Sequence, residues 1–283
     1  MPDFKRIAII GVGLIGGSFG LAVKERELAD DVVGIGYRDE TLRCAEARGA
    51  IDRWTLDLEE GVSGADLAVV CTPVGLVPEK AIAAAKAMPT GGIVTDVAST
   101  KAVITGKIEA ELPDGISFVP AHPMAGSEER GNENATAGLF EGARVILTPT
   151  DRTPAPAADA VHHLWERLGA RVERLDAAAH DRIVARISHL PHLVAPALVN
   201  AVDEAGLSYA ATGMKDTTRI AASDVRLWVD IFRDNRLNVL DAVRAFEVEL
   251  ESIREALERS DWAKLSRCLE RARNRRQGLS DDE

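Results

Sequence analysis

KRIAIIGVGLIG, residues 5–16, is the stretch of the chain that decides its fold. Lys5–Ile10 is a short β-rich run that ends directly at glycines, which is typical of a strand. From Leu14 to Val23, apolar residues recur at helical spacing. The sequence therefore predicts a strand, a tight turn and a helix at the start of the chain.

The three glycines of this turn fit the pattern G-x-G-x-x-G in the strand–turn–helix context that makes the pattern informative. Gly11 permits a tight turn, Gly13 lets the backbone approach a pyrophosphate, and Gly16 lets the helix pack closely on the strand. A pyrophosphate would lie at the positive end of the helix, beside Leu14 and Ile15. A glycine-rich turn without a ligand is the alternative, but strand, spacing and helix all favour dinucleotide binding.

Short, almost wholly apolar runs alternate with amphipathic helices over roughly the first 170 residues, which indicates an α/β fold with a parallel sheet covered on both faces. From about Asp176 the β-rich runs stop and long helical patterns follow. We expect a doubly wound, Rossmann-like dinucleotide-binding domain over residues 1–175 and an all-helical domain over residues 176–283. The later strands are predicted at Val32–Ile35, Leu67–Cys71, Ile93–Val97, Phe118–Val119, Val145–Leu147 and Ala170–Leu175, and the long helices at Ala177–Glu204, Thr217–Arg233 and Arg236–Arg259.

The composition excludes several classes of protein. The 283 residues carry a formal net charge of −11, the wrong sign for generalised binding to nucleic acid or anionic membrane. No apolar stretch reaches the roughly 18 residues of a spanning helix, and no cleavage site follows the first apolar run, so we expect a cytoplasmic protein. The three cysteines lie outside any metal-binding spacing, and no metal is expected.

The end of the second predicted strand bears on the choice of dinucleotide. A carboxylate there pairs with the ribose hydroxyls of NAD, whereas a nearby arginine suits the 2′-phosphate of NADP. Gly36 stands where the acid is usual, and Arg38 follows two residues later, which favours NADP. Asp39 would serve NAD if the strand ended later, and Arg38 would then be a solvated side chain, so both cofactors stay open.

Polar residues follow three further predicted strands, at the edge where open α/β sheets hold ligands. Thr72 and Pro73 follow one strand, and the segment DVASTK, residues 96–101, follows the next. In that segment Asp96 is placed to contact the cofactor and Ser99 offers a hydroxyl, although Ser99 could simply cap the following helix. His122 follows the run Phe118–Ala121, and a histidine beside a dinucleotide cleft is a natural general base.

The helical half carries further candidate residues. His189 and His192 lie three apart and would share a helix face, with Pro191 near a helix start or at a kink. Two histidines could ligate a metal, but no carboxylate or cysteine pattern completes such a site. Arg219 is the best available bidentate partner for a substrate carboxylate, and an ordinary ion pair with Asp216 or Asp224 is the alternative.

Together these residues resemble the prephenate/arogenate dehydrogenase family, the TyrA-type or cyclohexadienyl dehydrogenases of tyrosine biosynthesis. The resemblance runs over nearly the whole chain. Its segments are GVGLIGGS at 11–18, DVASTK at 96–101, HPMAGSE at 122–128, SHLPH at 188–192 and TRIAASDVRLWVDIF at 218–232. The resemblance implies oxidative decarboxylation of prephenate to 4-hydroxyphenylpyruvate, or of arogenate to tyrosine, with hydride transfer to NAD or NADP.

The resemblance also implies roles for individual residues. His122 would accept the proton of the ring hydroxyl, and Arg219 would bind the ring carboxylate. Ser99 would hydrogen-bond both that hydroxyl and the imidazole of His122. The remaining substrate-binding candidates are His189, His192, Ser127, Glu128, Asp216, Lys215 and Trp228. The cofactor candidates are Gly11, Gly13, Leu14, Ile15, Gly16, Arg38, Thr72, Pro73 and Asp96.

Members of this family commonly dimerise through the helical domain, so we expect a homodimer. Some members carry a chorismate mutase or a C-terminal ACT domain, and the length leaves no room for either. Two alternatives are another two-domain NADP-dependent oxidoreductase, of the β-hydroxyacid or imine reductase kind, and a non-catalytic dinucleotide-sensing protein. The first would use a lysine or aspartate on a helix, and the second would not need Ser99, His122 and Arg219 together.

Overall fold

The larger of two sheets contains six parallel strands and carries the glycine turn. The computed structural model describes residues 3–125 and 131–279. The six strands are β1 (Phe4–Ile10), β2 (Ala29–Ile35), β3 (Arg53–Thr55), β4 (Leu67–Val70), β5 (Ile93–Asp96) and β6 (Ser117–Val119). They lie in the order β3-β2-β1-β4-β5-β6, which is the order of a doubly wound dinucleotide-binding sheet and confirms the predicted fold class.

Both faces of this sheet are covered, because successive side chains of a strand point to opposite faces. Ile7 and Ile9 of β1 enter one apolar core, whereas Ala8 and Ile10 enter the other. This double burial explains why the strands read as continuous apolar runs. Helices α1 (Leu14–Glu25), α2 (Asp39–Ala47) and α6 (Ala155–Arg167) supply the first core, and α3 (Leu58–Val62), α4 (Val77–Ala87) and α5 (Ala102–Glu111) the second.

The chain then leaves the large sheet and forms a smaller one. Its strands are β7 (Ala121–Pro123), β8 (Arg144–Leu147) and β9 (Arg171–Arg174), with β7 antiparallel to β8 and β9 parallel to it. The strand predicted at Phe118–Val119 is confirmed as part of β6, but the run Phe118–Ala121 does not continue as one strand, because Pro120 has no N–H group to extend the ladder of β6. His122 consequently lies inside β7, opposite Ile146, and not at the end of a strand of the large sheet.

The helical region is more broken than the sequence predicts. Its helices are α7 (Ala177–Val184), α8 (Leu190–Asn200), α9 (Glu204–Leu207), α10 (Thr212–Thr218) and α11 (Val225–Asp234). A π-helical turn, Ala185–His189, separates α7 from α8, and Pro191 is the second residue of α8. A 3-10 turn, Arg219–Ala222, interrupts the helix expected over Thr217–Arg233. Both interruptions carry candidate site residues.

The chain divides into two compact units, Met1–Arg236 and Leu237–Glu283. The first unit holds the two sheets and the helices up to α11. The second is formed by α12 (Arg236–Glu258) and α13 (Trp262–Gln277), which are its helices among the described residues. The predicted domain boundary at 175/176 stays a prediction. None of the helices described for this chain combines the length and apolar character that crossing a bilayer requires.

Candidate active site

Four strands of the large sheet end side by side, and the candidate site lies along this edge. Ile10 is paired with Ile35 of β2 on one side and with Val70 of β4 on the other, and Val70 is paired in turn with Asp96 of β5. The loops that follow these four residues therefore begin at the same edge. They carry the glycine turn, Gly36–Arg38, Thr72–Pro73 and Ser99, so the structure brings the predicted residues of this half together.

The glycine turn has the shape that a bound pyrophosphate requires. Gly11 has a φ of +94°, and a Cβ there would lie 2.9 Å from the main-chain oxygen of Cys71. A Cβ on Gly16 would lie 2.2 Å from the oxygen of Gly11, so only glycine lets α1 pack so closely on the turn. A Cβ on Gly13 would meet no atom within 4 Å. Open space beside Gly13, at the positive end of α1, fits an incoming phosphate.

Thr72 supplies a second indication that a polar ligand belongs here. Its hydroxyl oxygen is buried and finds no hydrogen-bond partner among the described residues, and a buried hydroxyl without a partner is uncommon in a folded protein. Pro73 leads directly into a 3-10 turn at Val74–Leu76. The second strand ends at Ile35, as predicted, and Arg38 is exposed with its guanidinium 4.9 Å from the ring centre of Tyr37.

Asp96 and Lys101 form a fully buried ion pair that joins the loop of Ser99 to β7. The ammonium of Lys101 donates to the Asp96 carboxylate and, at 2.7 Å, to the main-chain oxygen of Ala121. The other Asp96 oxygen accepts from the Ala121 amide at 3.1 Å. Asp96 is fully buried, and this burial does not support the expected direct contact of its side chain with a cofactor. Instead, the pair fixes Ala121, the residue before His122.

Ser99 lies half-buried in the loop between β5 and α5. Helix α5 begins at Ala102, and its first amides donate to the side chain of Asp181, from Lys101 at 2.9 Å and from Ala102 at 2.9 Å. The N-terminus of α5 is thus capped by a carboxylate far along the chain. The alternative that Ser99 caps this helix is therefore not supported.

His122 is buried, and two other histidines, His180 and His189, lie near it. Its Nδ1 lies 2.8 Å from Nε2 of His180, and Nδ1 of His180 lies 2.8 Å from Oδ1 of Asp181. Burial, together with the nearby His180, Lys101 and His189, holds the pKa of His122 well below its ordinary value. His122 is therefore neutral at neutral pH and able to accept a proton.

His180 and Asp181 are site residues that the sequence analysis missed. Both are buried at the beginning of the helical region, in α7. Their partners His122, Lys101 and Ala102 lie 58 or more residues away in the chain. The adjacent letters His-Asp were the only available signal, and adjacency alone does not distinguish a site from an ordinary helix start.

His189 lies in the π-helical turn, and such turns often occur at functional sites. The side-chain nitrogen of Asn235 donates to the main-chain oxygen of Asp181 at 2.7 Å and to Nδ1 of His189 at 3.2 Å. His189 thus carries its proton on Nε2, a buried atom that has no partner among the described residues. Burial lowers the pKa of His189 to about 4, so this ring is a neutral donor.

Two of the substrate-binding candidates, His189 and His192, lie against a third, Trp228. The ring of His192 stacks on Trp228 with centres 3.5 Å apart, and His189 meets the same indole edge-on at 5.9 Å. The turn that begins at Arg219 packs against α8. Burial is the largest cause that lowers the pKa of His192, and the positive charge of Arg219 also lowers it. Helix α11, which carries Trp228, packs against the 3-10 turn after Pro73.

Four other candidates contribute less to this picture. Lys215 and Asp216 lie exposed on α10, which packs against α8. Ser127 and Glu128 lie outside the described residues. Among the described residues no group of three or more histidine, cysteine or carboxylate side chains could hold a metal ion.

The assembled groups suit one kind of chemistry. A neutral buried histidine can accept a proton from a hydroxyl, the π-turn histidine can donate a hydrogen bond, and Arg219 offers a cation for a carboxylate. These groups lie in the same compact unit as a turn shaped for a dinucleotide. The arrangement fits removal of a proton from a hydroxyl group, and of a hydride from the carbon that bears it, in an anionic substrate.

Comparison with known families gives two adjoining matches. Residues 19–174 match the family described as prephenate dehydrogenase, nucleotide-binding domain. Residues 176–271 match prephenate dehydrogenase, dimerization domain. The two matches together span most of the chain and contain most of the candidate residues.

Individual relatives and solved structures agree with these matches. The chain is 35% identical to cyclohexadienyl dehydrogenase of Zymomonas mobilis, over 100% of this chain and 98% of the relative. It is 34% identical to prephenate dehydrogenase of Bacillus subtilis, over 96% and 76%. The structure of Aquifex aeolicus prephenate dehydrogenase with hydroxyphenyl propionate and NAD+ superposes with a TM-score of 0.91 at 32% identity, covering 97% of this chain and 98% of that one. Synechocystis arogenate dehydrogenase gives 0.83 at 27% identity, covering 97% and 99%.

Proposed function

The chain belongs to the prephenate dehydrogenase family, and from this premise we propose that it carries out the oxidative decarboxylation of prephenate, of arogenate, or of both. Prephenate gives 4-hydroxyphenylpyruvate and arogenate gives tyrosine, each with loss of CO2. The observation that carries this proposal is the neutral, buried His122, fixed through Ala121 to the loop of Ser99 at the cofactor edge of the sheet.

His122 acts first, as the general base. Its ring accepts the proton of the hydroxyl on the ring carbon, while Ser99 hydrogen-bonds that hydroxyl oxygen and orients it. Bound NAD(P)+ supplies the acceptor for the hydride that leaves the same carbon. The C–O bond then becomes a carbonyl. A positioned general base contributes about 100- to 10,000-fold to such a step.

Arg219 holds the substrate for the second stage. Its guanidinium binds the ring carboxylate in a bidentate contact and keeps the ring in place. The carbon–carbon bond to this carboxylate breaks, its electron pair enters the ring, and the carbonyl oxygen takes back a proton to become the phenol hydroxyl. Aromatisation makes this stage favourable, so the main contribution of the protein is positioning.

Trp228, His189 and His192 form the wall of the substrate pocket in this proposal. The Nε2–H group of His189 is buried without a partner among the described residues, and it donates to a substrate oxygen. Lys215 and Asp216 orient Arg219 or close the cleft, and Ser127 and Glu128 lie near the substrate side chain.

The family shows that a nicotinamide dinucleotide is bound, and we propose that this chain prefers NADP. The support is local: β2 ends at Ile35, Gly36 offers no carboxylate, and Arg38 is exposed just beyond. An arginine here binds the 2′-phosphate of NADP. The dinucleotide-binding residues are those of the glycine turn together with Thr72, Pro73 and Arg38.

A steady-state matrix tests the function and the cofactor together. Purified protein is assayed with prephenate and arogenate, each with NAD and with NADP. Turnover is expected in at least one of the four combinations, with kcat/KM higher for NADP. Replacing Arg38 by alanine should lower kcat/KM for NADP by roughly 10-fold or more and leave NAD unchanged, since a hydrogen bond to a charged group contributes about 1.5–3 kcal/mol. Absence of turnover in all four combinations contradicts the proposed function.

We also propose a homodimer, and a helical substrate and dimerisation domain over residues 176–283. The support lies in α12 and α13, which carry large apolar side chains with more than half of their surface exposed. Contiguous exposed apolar surface marks interaction sites between proteins, so exposed apolar side chains concentrated on these two helices support an interface with a second copy. These residues are Leu237, Val248, Leu250, Leu257, Trp262 and Leu269.

The two alternatives are not favoured by the comparisons. A β-hydroxyacid or imine reductase would not be expected to match both halves of the prephenate dehydrogenase family. A dinucleotide-sensing protein without activity would have no use for a base, a hydroxyl and a guanidinium gathered in one unit. The four-way assay also separates both alternatives from the proposed function.

A further inference from the structure

A continuous chain of hydrogen bonds runs from the N-terminus of α5 to His122. The amides of Lys101 and Ala102 donate to the carboxylate of Asp181 at 2.9 Å each. The same carboxylate lies 2.8 Å from Nδ1 of His180, and Nε2 of His180 lies 2.8 Å from Nδ1 of His122. All these side chains are buried, so water does not compete for the bonds.

The positions of the protons along this chain follow from its fixed end. Main-chain amides can only donate, so both oxygens of Asp181 act as acceptors, as in an ionised carboxylate. Nδ1 of His180 must then donate to Asp181. In a neutral imidazole the other nitrogen is an acceptor, so Nε2 of His180 accepts from Nδ1 of His122. His122 therefore carries its own proton on Nδ1, and its Nε2 has a free lone pair.

The carboxylate of Asp181 is stabilised where it lies. It faces the positive end of α5, where an anion is favoured. The ammonium of Lys101 is nearby but is paired with Asp96. A cap at a helix terminus is a rigid anchor, since moving Asp181 would leave the buried amide of Lys101 and the partly buried amide of Ala102 without this acceptor. The chain of bonds thus starts from a fixed group and ends at the proposed base.

We propose that His180 and Asp181 are positioning residues that hold His122 in the Nδ1–H tautomer, with Nε2 presented to the substrate hydroxyl. The inference rests on the proposed function, in which His122 is the base. In the opposite tautomer Nε2 would carry a hydrogen and could not accept the hydroxyl proton. When Nε2 takes that proton, the new imidazolium donates to His180, and the Asp181 carboxylate at the end of the chain stabilises the positive charge.

A pair of substitutions at one position tests this role. His180→Phe keeps a ring of similar size but removes the acceptor, whereas His180→Gln places an amide oxygen within reach of Nδ1 of His122. His180→Phe should lower kcat by about 100-fold or more while the KM of the substrate changes less than about threefold, because the base is lost and not the binding. His180→Gln should stay within about 10-fold of wild type. His163→Phe, on the exposed side of α6, is the matched control and should leave kcat unchanged.

A second measurement uses the wild-type protein and does not depend on its catalytic activity. Nitrogen-15 NMR of the histidine rings of the wild-type protein, free of ligands at neutral pH, should show His122 protonated on Nδ1 only and His189 on Nε2 only. A proton on Nε2 of His122, or a folded His180→Phe with kcat within about threefold of wild type, overturns the inference. If His180→Phe does not fold, the wild-type tautomer decides. Failure of the proposed function is distinguishable, because it would appear as absence of turnover in the wild-type protein.

Discussion

At the scale of single residues, His122 sets the pH range of the proposed reaction. A base must be unprotonated, so kcat/KM is full above the pKa of His122 and falls as the pH drops through it. Burial and the neighbouring His180, Lys101 and His189 lower this pKa well below the ordinary value of 6.5. The acid limb of a kcat/KM profile should therefore lie below pH 6.5. An acid limb at or above the ordinary value would contradict the assignment.

Arg219 leads to a prediction about substrate affinity. Arg219→Ala removes the proposed partner of the ring carboxylate and should raise the substrate KM by roughly 10- to 100-fold, because a hydrogen bond to a charged group contributes about 1.5–3 kcal/mol. The dissociation constant of the dinucleotide should stay the same. Arg226→Ala, at an exposed arginine in α11, serves as the control. An unchanged KM in Arg219→Ala would remove this residue from the substrate site.

Single residues also show where sequence reasoning succeeds. Gly11 and Gly16 were predictable because their steric roles are local and depend on neighbours in the turn and adjoining strands. His180 was not, since its role depends on a bond to a residue 58 positions away. Asp96 illustrates a third case: the sequence placed it at the correct edge, but only the fold shows that its carboxylate is fully buried.

At the scale of elements, the turn between β1 and α1 gives a prediction about cofactor binding. A Cβ at Gly13 would meet no protein atom within 4 Å, so Gly13→Ala should fold normally. The added methyl would occupy the space proposed for the pyrophosphate and should weaken dinucleotide binding by about 10-fold or more, as a lost phosphate contact would. Calorimetric titration with NAD and NADP, together with thermal unfolding, checks both parts.

The control for this variant is Gly106→Ala in α5, where an added Cβ also meets nothing within 4 Å. It should leave dinucleotide affinity unchanged and raise the unfolding temperature slightly, because alanine favours a helix interior over glycine. If Gly13→Ala binds the dinucleotide as tightly as wild type does, the turn is not the phosphate site.

Elements also show why parts of the fold were not predictable. Five of the six strands of the large sheet were found from their apolar runs, whereas β3 (Arg53–Thr55) was missed because it has no such run. The short β7 was missed as well, because a run of apolar letters does not reveal a change of sheet at Pro120. The π-helical turn at Ala185–His189 was read as continuous helix. Its identity depends on contacts such as that of Asn235 with His189, which are tertiary.

At the scale of the whole molecule, the acidic net charge of −11 contrasts with the anionic ligands that the family binds. In the proposed function, the positive end of α1, Arg219 and Arg38 supply the positive potential at which these anions bind. The composition argues against nucleic acid and membranes as partners, but a net charge does not reveal where along the chain positive groups collect.

The oligomeric state gives the last prediction. Leu250 and Leu257 lie seven residues apart on one face of α12, each about half exposed. Light scattering after gel filtration should show a dimer for wild type and a shift toward monomer for the double variant Leu250→Glu, Leu257→Glu. Arg259→Glu lowers the net charge by the same two units and should remain dimeric. A monomeric wild-type protein, or an unaffected double variant, would contradict the proposed interface.

The buried pair of Asp96 and Lys101 has a consequence for how such a sequence can diverge. Losing one member leaves the other charge buried without a partner, which costs about 3–5 kcal/mol, a large part of the roughly 5–15 kcal/mol that keeps a protein folded. Replacing both by apolar side chains of similar volume is often neutral. Descendants of this chain should therefore keep both charges or lose both together. A lineage that keeps both charges and one that has lost both would be separated by single-substitution intermediates that are less stable than either.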